Sequence, residues 1–321
     1  MNTPPRVSVL MCVHNGEAHV RAAVESVLGQ TLRDFELIVV DDASTDATPS
    51  LLRSFPDPRL RLLRNETNLG LTRSLNVGLR AVRGEYVARL DADDTCVPER
   101  LERQAAFLDR HPEVGLLGTR TWRGAAGAEF AEIEDVTDET ELRWWLLFDN
   151  IFAHSSVMFR ADLVRGGGYD EACACAQDYA LWSAWADRTR FAKLAEPLVR
   201  ISSHEDQISR RQAGRQREIA ERVSRENLSR LLGAPVDART RAGLPAVFPR
   251  PPNLPSEALM RSCRLCLRLF RALRTDPGSP RARRAGSAGP GYCACSTAWA
   301  GGSAARRAPP GFWVIFSVVP H

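Results

Sequence analysis

The sequence predicts a mixed α/β fold with a mostly parallel central sheet flanked by helices, and three observations predict it. The runs VSVLMCV at 7–13 and LIVV at 37–40 are apolar with little alternation, which suits strands covered on both faces. Helix-patterned stretches separate the strands, so the chain reads β-α-β repeatedly. Each strand also runs directly into polar residues, and in open sheets of this kind ligands bind beyond the carboxyl ends of the strands.

The elements follow in order. After the first strand come His14, Asn15, Gly16 and Glu17, then a helical pattern through Gln30. The second strand ends at Asp41 and Asp42, and Asp46, Thr48 and Pro49 carry start signals for the next helix. Leu60 to Arg64 reads as a third strand and Leu71 to Val82 as a helix. Tyr86, Val87, Ala88 and Leu90 then lead into Asp91, Asp93 and Asp94. Further on, Leu181, Trp182 and Trp185 mark a helix that begins near Asp178.

Three carboxylates in four positions repel one another, which raises their pKa values unless a cation offsets the charge. Hard divalent ions such as Mg²⁺ or Mn²⁺ take oxygen ligands of this kind and complete their shell with substrate phosphates. A solvated acidic turn is the alternative for this segment alone. The second acidic site, Asp41 and Asp42, favours one cleft served by both. No G-x-G-x-x-G follows the first strand and no P-loop occurs, which argues against a dinucleotide dehydrogenase or an ordinary NTPase.

The blocks VSVLMCVHNGE, FELIVVDDASTD, NLGLTRSLNVGLRAVRGEYVARLDADD, HSSVMFR, GGGYDEACACAQDYALW and HEDQIS together resemble the inverting family-2 glycosyltransferases of the GT-A, Rossmann-like fold. The likeness covers roughly residues 6 to 210. Within the family it is most similar to bacterial enzymes that build capsule, exopolysaccharide or lipopolysaccharide chains. The resemblance implies transfer of a sugar from a nucleotide donor, UDP-linked by expectation, to a glycan or lipid-linked acceptor. Asp42 would then face the nucleobase, with Cys12, His14 and Asn15 around base and ribose; His14 stands where relatives often carry tyrosine. Asn68, Gly70, Arg73 and Asn76 fall in the segment that lies beside the nucleotide in relatives. For Arg73, a phosphate contact and a plain exposed helix arginine are both open. Asp91 and Asp93 match the D-x-D motif, with Asp93 as metal ligand, Asp91 at the nucleotide sugar and Asp94 on the ribose or donor sugar. His204 matches a histidine that approaches the same metal, and Asp178 matches the base that activates the acceptor hydroxyl. A second acid common in relatives is replaced by Ala180. His154 and Gly166 to Gly168 match segments on the acceptor side, loops within 120–150 would set acceptor specificity, and Trp144 and Trp145 read as core.

Composition bounds the rest. A chain of 321 residues suggests one large domain with appendages, here 1–232 as catalytic domain, 233–275 as linker and basic helix, and 276–321 as a disordered tail. From Gly233 onward thirteen arginines against three acids give +10, which leaves −6 on the first 232 residues of an overall +4. Leu259, Cys263, Cys266, Phe270 and Leu273 recur at helical spacing beside Arg261, Arg264, Arg268 and Arg271. Such a helix could lie on an anionic membrane, pack on the catalytic domain or bind a partner. The Gly- and Pro-rich end beyond Asp276 reads as a flexible tail or an altered terminus. With no transmembrane stretch and no signal peptide, the expectation is a cytoplasmic enzyme whose eight cysteines are reduced thiols rather than a zinc site. The positive charge is confined to the tail, so a nucleic-acid role is disfavoured. A nucleotidyltransferase, or a non-catalytic nucleotide-sugar or glycan binder of the same fold, are the competing functions.

Overall fold

The chain begins with β1 (Val7–Val13), α1 (Val20–Leu28), β2 (Phe35–Asp41), α2 (Thr48–Arg53), β3 (Leu60–Arg64) and α3 (Leu71–Ala81). It continues through β4 (Tyr86–Arg89), β5 (Thr95–Cys96), α4 (Arg100–Arg110), β6 (Val114–Gly124), β7 (Ala131–Ile133) and α5 (Glu139–Leu146). A short 3₁₀ turn at His154–Ser156 precedes β8 (Met158–Arg160), and α6 (Gln177–Trp185), β9 (Arg190–Ser202) and α7 (Ala213–Leu232) follow. The computed structural model describes residues 4–124, 131–133, 137–204, 207, 212–238, 268 and 272. The chain divides into two units, Met1–Val223 and Ser224–His321. The expected basic helix over 257–274 and the tail over 276–321 lie outside the described residues, apart from the isolated Arg268 and Ala272.

In the first unit the strand order is β3-β2-β1-β4-β8-β6-β9-β5, with β7 paired to β6. β3, β2, β1 and β4 are mutually parallel, and β8 runs antiparallel between β4 and β6. β1 is buried along its whole length because both faces of the sheet are covered. Val7, Val9, Met11 and Val13 enter one core with α1 and α4, while Leu10 and Cys12 enter the other with α3 and α6. That two-residue alternation between two apolar cores is why the strand reads as an unbroken apolar run. Gly78 lets α3 approach the sheet: a Cβ there would collide with Leu10 Cδ1. In the second unit, Gly233 ends α7 with φ 64° and its N–H donates to the Arg230 carbonyl.

Two expectations need correction. The helical pattern through Gln30 stops at Leu28, with Gly29 as the cap and the Gln30 side-chain amide bridging the Ser26 and Val97 carbonyls at 3.0 and 2.7 Å. The stretch 120–150, expected as loops, is instead largely the end of β6, β7 and α5. β6 stays paired with β9 as far as Gly124–Ser202, with register irregularities on both sides of Arg120 and with Thr119 and Thr121 buried. Trp144 is 4 % exposed and packs edge-on against Phe148, as expected of a core residue, and Trp145 is half-buried. Among the described residues no helix is long and apolar enough to cross a membrane. Cys12, Cys96, Cys173 and Cys175 are free and buried.

Candidate active site

Register brings the polar strand ends together. Val13 pairs with Asp41 and Leu10 with Arg89, so His14, Asp42 and Asp91 leave the sheet on the same edge. On the β1–β2 side the polar atoms bind mainly each other. Asn15, at φ 52°, places its side-chain oxygen on the Thr45 N–H at 2.8 Å while its own N–H donates to Ser44 Oγ. His14 is exposed, with Nδ1 2.8 Å from the Asp42 carbonyl. Burial pushes the Cys12 thiol up to about 12, so it stays neutral at the floor of the cleft.

Asp42 is 4 % exposed and accepts three hydrogen bonds from the next loop. Its Oδ1 accepts from Asn65 Nδ2 and the Leu69 N–H, each at 2.8 Å, and its Oδ2 from the Gly70 N–H at 2.9 Å. Asn68 Oδ1 also accepts from Gly70 N–H, and Gly70 holds φ 83° where other residues would be strained. A carboxylate offers about four acceptor positions, so Asp42 keeps one for a ligand.

α3 faces the loop that leads to α6. Asn76 Nδ2 donates to the Tyr169 carbonyl at 2.9 Å and its Oδ1 accepts the Tyr169 N–H at 2.8 Å. A Cβ on Gly168 would strike Asn76 Oδ1, so this close approach requires glycine. Arg73 lies 3.3 Å from Glu171 with both side chains more than half exposed.

On the β4 side the charges are less evenly matched. Arg89 is fully buried; its guanidinium donates to the Leu10 and Leu90 carbonyls, to Asp91 Oδ1 and to His154 Nε2. Burial by itself would raise the Asp91 carboxyl, but Arg89, His154 and the Ser155 hydroxyl together outweigh it and hold it below the usual range. Burial, with Arg89 adding to it, pushes His154 down to about 3, so its neutral Nε2 accepts from Arg89 and faces the Tyr169 hydroxyl at 2.8 Å. Asp94 is raised well above the carboxylate range, first by burial and then by Asp91 and Asp93. The Ser155 hydroxyl touches both Asp91 Oδ2 and Asp94 Oδ2. It has one hydrogen, so both contacts are satisfied when Asp94 carries a proton and donates it to Ser155, which in turn donates to Asp91.

Asp93 meets the far end of the sheet. The Ser202 N–H at the end of β9 donates to Asp94 Oδ1 at 2.9 Å, which carries His204 to within 2.9 Å of Asp93 Oδ2 through Nε2. The His204 ring stacks on His19 at 4.8 Å. Two ligand atoms about 2.1 Å from one cation at a right angle stand about 3 Å apart, so Asp93 and His204 fit a divalent ion. Among the described residues no cluster of three or more His, Cys, Asp or Glu is placed to hold a metal. Substrate oxygens would complete the shell, as Mg²⁺ and Mn²⁺ commonly require.

Asp178 lies in the first turn of α6, which Ala176 opens at φ 49°. Its Oδ2 accepts from Asn150 Nδ2 at 2.7 Å and its Oδ1 from the Tyr179 N–H at 2.8 Å. Burial pushes its carboxyl up to about 6, with the Asp91 charge adding to the rise. A carboxylate near pH 6 is suited to taking a proton from a hydroxyl at neutral pH.

Arg89, Ser155, Asn150 and Tyr169 are the members of this site that the sequence did not single out. Only Arg89 carried a signal, as a charge inside an otherwise apolar strand.

Residues 8–167 match the family pattern for glycosyl transferase family 2. The amylovoran biosynthesis glycosyltransferase AmsE of Erwinia amylovora is 30 % identical over 215 residues, 64 % of this chain and 79 % of AmsE. Among solved structures, S. aureus TarS 1–349 in complex with UDP-GlcNAc superposes with TM-score 0.59 at 19 % identity, covering 83 % of this chain and 81 % of that one. The mannosyltransferase PcManGT of Pyrobaculum calidifontis, in complex with GDP-Man and Mn²⁺, gives 0.51 at 20 % identity over 85 % and 87 %. These likenesses bear out the GT-A fold. By the family match and by relatives such as AmsE, the chain belongs to glycosyl transferase family 2 and is a glycosyltransferase.

Proposed function

We propose that this enzyme moves a sugar from a nucleotide donor, UDP-linked, to a glycan or lipid-linked acceptor in cell-surface polysaccharide synthesis, inverting the anomeric centre and using Mn²⁺ or Mg²⁺. The observation that carries the mechanism is the division of labour between two carboxylates. Asp178 is raised to about 6 and held by Asn150, whereas Asp93 is paired with His204. In a direct displacement the acceptor oxygen attacks the anomeric carbon, Asp178 takes its proton, and the bond to the diphosphate oxygen breaks on the opposite side. One displacement inverts the centre. Asp93 and His204 would hold the divalent ion, which supplies neutralisation of the charge on the departing diphosphate.

Asp42, with its one free acceptor position, would face the nucleobase, with Cys12, His14 and Asn15 beside base and ribose. Asn68, Gly70 and Arg73 would flank the nucleotide, and Asp91 and Asp94 the ribose or donor sugar. AmsE's role in amylovoran biosynthesis supports a polysaccharide product, and the nucleotide sugars bound by TarS and PcManGT support the donor class. We place the enzyme in the cytoplasm, touching the membrane's inner face through the basic stretch 257–274.

Nucleotide release from a panel of UDP-, GDP- and dTDP-sugars, with and without Mn²⁺ or Mg²⁺, tests this. Metal-dependent turnover of one donor is expected, with donor binding weakened at least about tenfold in Asp93→Ala. Turnover that survives chelation, or no binding of any donor by calorimetry, would overturn it.

A further inference from the structure

We infer that Asn150 is a positioning residue for the base: it fixes the orientation of the Asp178 carboxylate and holds it in its ionised form. This rests on Asp178 being the base, as proposed above.

The geometry is built from both ends. Asn150 Oδ1 accepts the Phe152 N–H at 3.1 Å, which fixes the amide plane and leaves Nδ2 pointing at Asp178 Oδ2, 2.7 Å away. Phe152 is itself locked, 2 % exposed and edge-on to Phe191 on β9. The other carboxylate oxygen is held by the Tyr179 N–H in the first turn of α6. Asp178 therefore has one donor on each oxygen and a single plane, with the remaining lone pairs free for an acceptor hydroxyl. An amide donor is suited to this task because it has no charge of its own: it favours the ionised carboxylate without forming an ion pair that would depress its basicity strongly.

The surroundings push the other way. The titratable groups facing Asp178 are Asp91 beyond β4 and Tyr169 on the loop before α6, with Arg89 and His154 behind Tyr169. Burial and the Asp91 charge raise the carboxyl, and the Asn150 hydrogen bond is one of the contacts that limit the rise to about 6. Ala180 offers no polar group here, and the neutral amide from the segment before the 3₁₀ turn is the side-chain hydrogen bond on this carboxylate among the described residues.

The test compares wild type, Asn150→Ala and the isosteric Asn150→Asp in the full chain. The Asp178 carboxyl is titrated by ¹³C NMR, its resonance assigned by its absence in Asp178→Asn. Binding of UDP with Mn²⁺ is measured by calorimetry, and the pH profile of nucleotide release is taken with the donor found in the panel. Asn150→Ala should move the Asp178 titration and the acidic limb of kcat to higher pH, and lower kcat at pH 7 about 10- to 100-fold. UDP affinity should change less than threefold. Asn150→Asp, which sets a second carboxylate against the first, should move both further in the same direction. An unmoved titration in both variants would overturn the positioning role. So would a kcat loss with an unshifted limb and an equal loss of UDP binding, which would mark a structural residue only. Full activity of Asp178→Asn would instead sink the base assignment and leave the Asn150–Asp178 titration result standing.

Discussion

Behind β2, Asp42 is 4 % exposed and its two oxygens accept from Asn65, Leu69 and Gly70, all neutral donors from the protein itself. Behind β4 and at the start of α6, carboxylates are left short of partners: Asp94 is raised well above its usual range and Asp178 to about 6. The two edges look alike in sequence, an apolar strand ending in adjacent aspartates, yet one closes a loop and the other holds carboxyls whose proton affinity is shifted. What separates them is supply of donors. Two backbone N–H groups and the Asn65 amide converge on Asp42, whereas Asp91 and Asp94 share the Ser155 hydroxyl, with the Arg89 charge on Asp91 and one further N–H, from Ser202, on Asp94.

The largest effect that sharpens this contrast is Asp178→Asn. It should lower kcat by about 10³-fold while leaving UDP and Mn²⁺ binding nearly unchanged, as measured by nucleotide release and calorimetry. Its stability effect has a definite sign. The folded-state pKa of Asp178 stands above the unfolded value of about 4, so the native state binds the extra proton and stability from this group is lost as pH rises from about 4 to about 6. Asp178→Asn removes that loss, and its Tm at pH 7 should equal or exceed wild type.

Asp42→Ala should do the opposite. The buried Asn65 amide loses an acceptor, and so does the Leu69 N–H, while the Gly70 N–H keeps Asn68, so the fold should weaken by about 1–2 kcal/mol, read as a lower midpoint in denaturant. A variant that kept wild-type stability and lost only nucleotide affinity would break the comparison, by showing Asp42 to be as poised as the β4 edge. The smallest effect is at Arg73. Its pair with Glu171 is exposed on both sides, so Arg73→Ala should change stability by less than about 0.5 kcal/mol. With the fold unaffected, any drop in UDP affinity would then report a phosphate contact directly.

The strands and most helices were legible because their signals are local. β1 coincides with VSVLMCV and β3 with Leu60–Arg64, and α2 starts at Thr48 with Pro49 in its first turn, since periodicity and cap residues lie within a few positions of each other. The aspartates of the site were also legible, because strand ends of a parallel sheet share one edge. What the sequence could not show was which group each aspartate meets. Asp93 and His204 are 111 positions apart, and Asn150 and Asp178 are 28 apart; both pairs are set by how β9 and α6 pack, not by spacing along the chain. The same holds for Arg89, whose charge is tolerated at zero exposure only because Asp91, His154 and two backbone carbonyls converge on it. Residue types and strand order are written locally, so the chain by itself determined the fold class and the set of acids. Proton affinity depends on burial and on neighbours brought in from distant segments, so only the tertiary structure decided which acid closes a loop, which meets His204 and which carboxyl is raised to about 6.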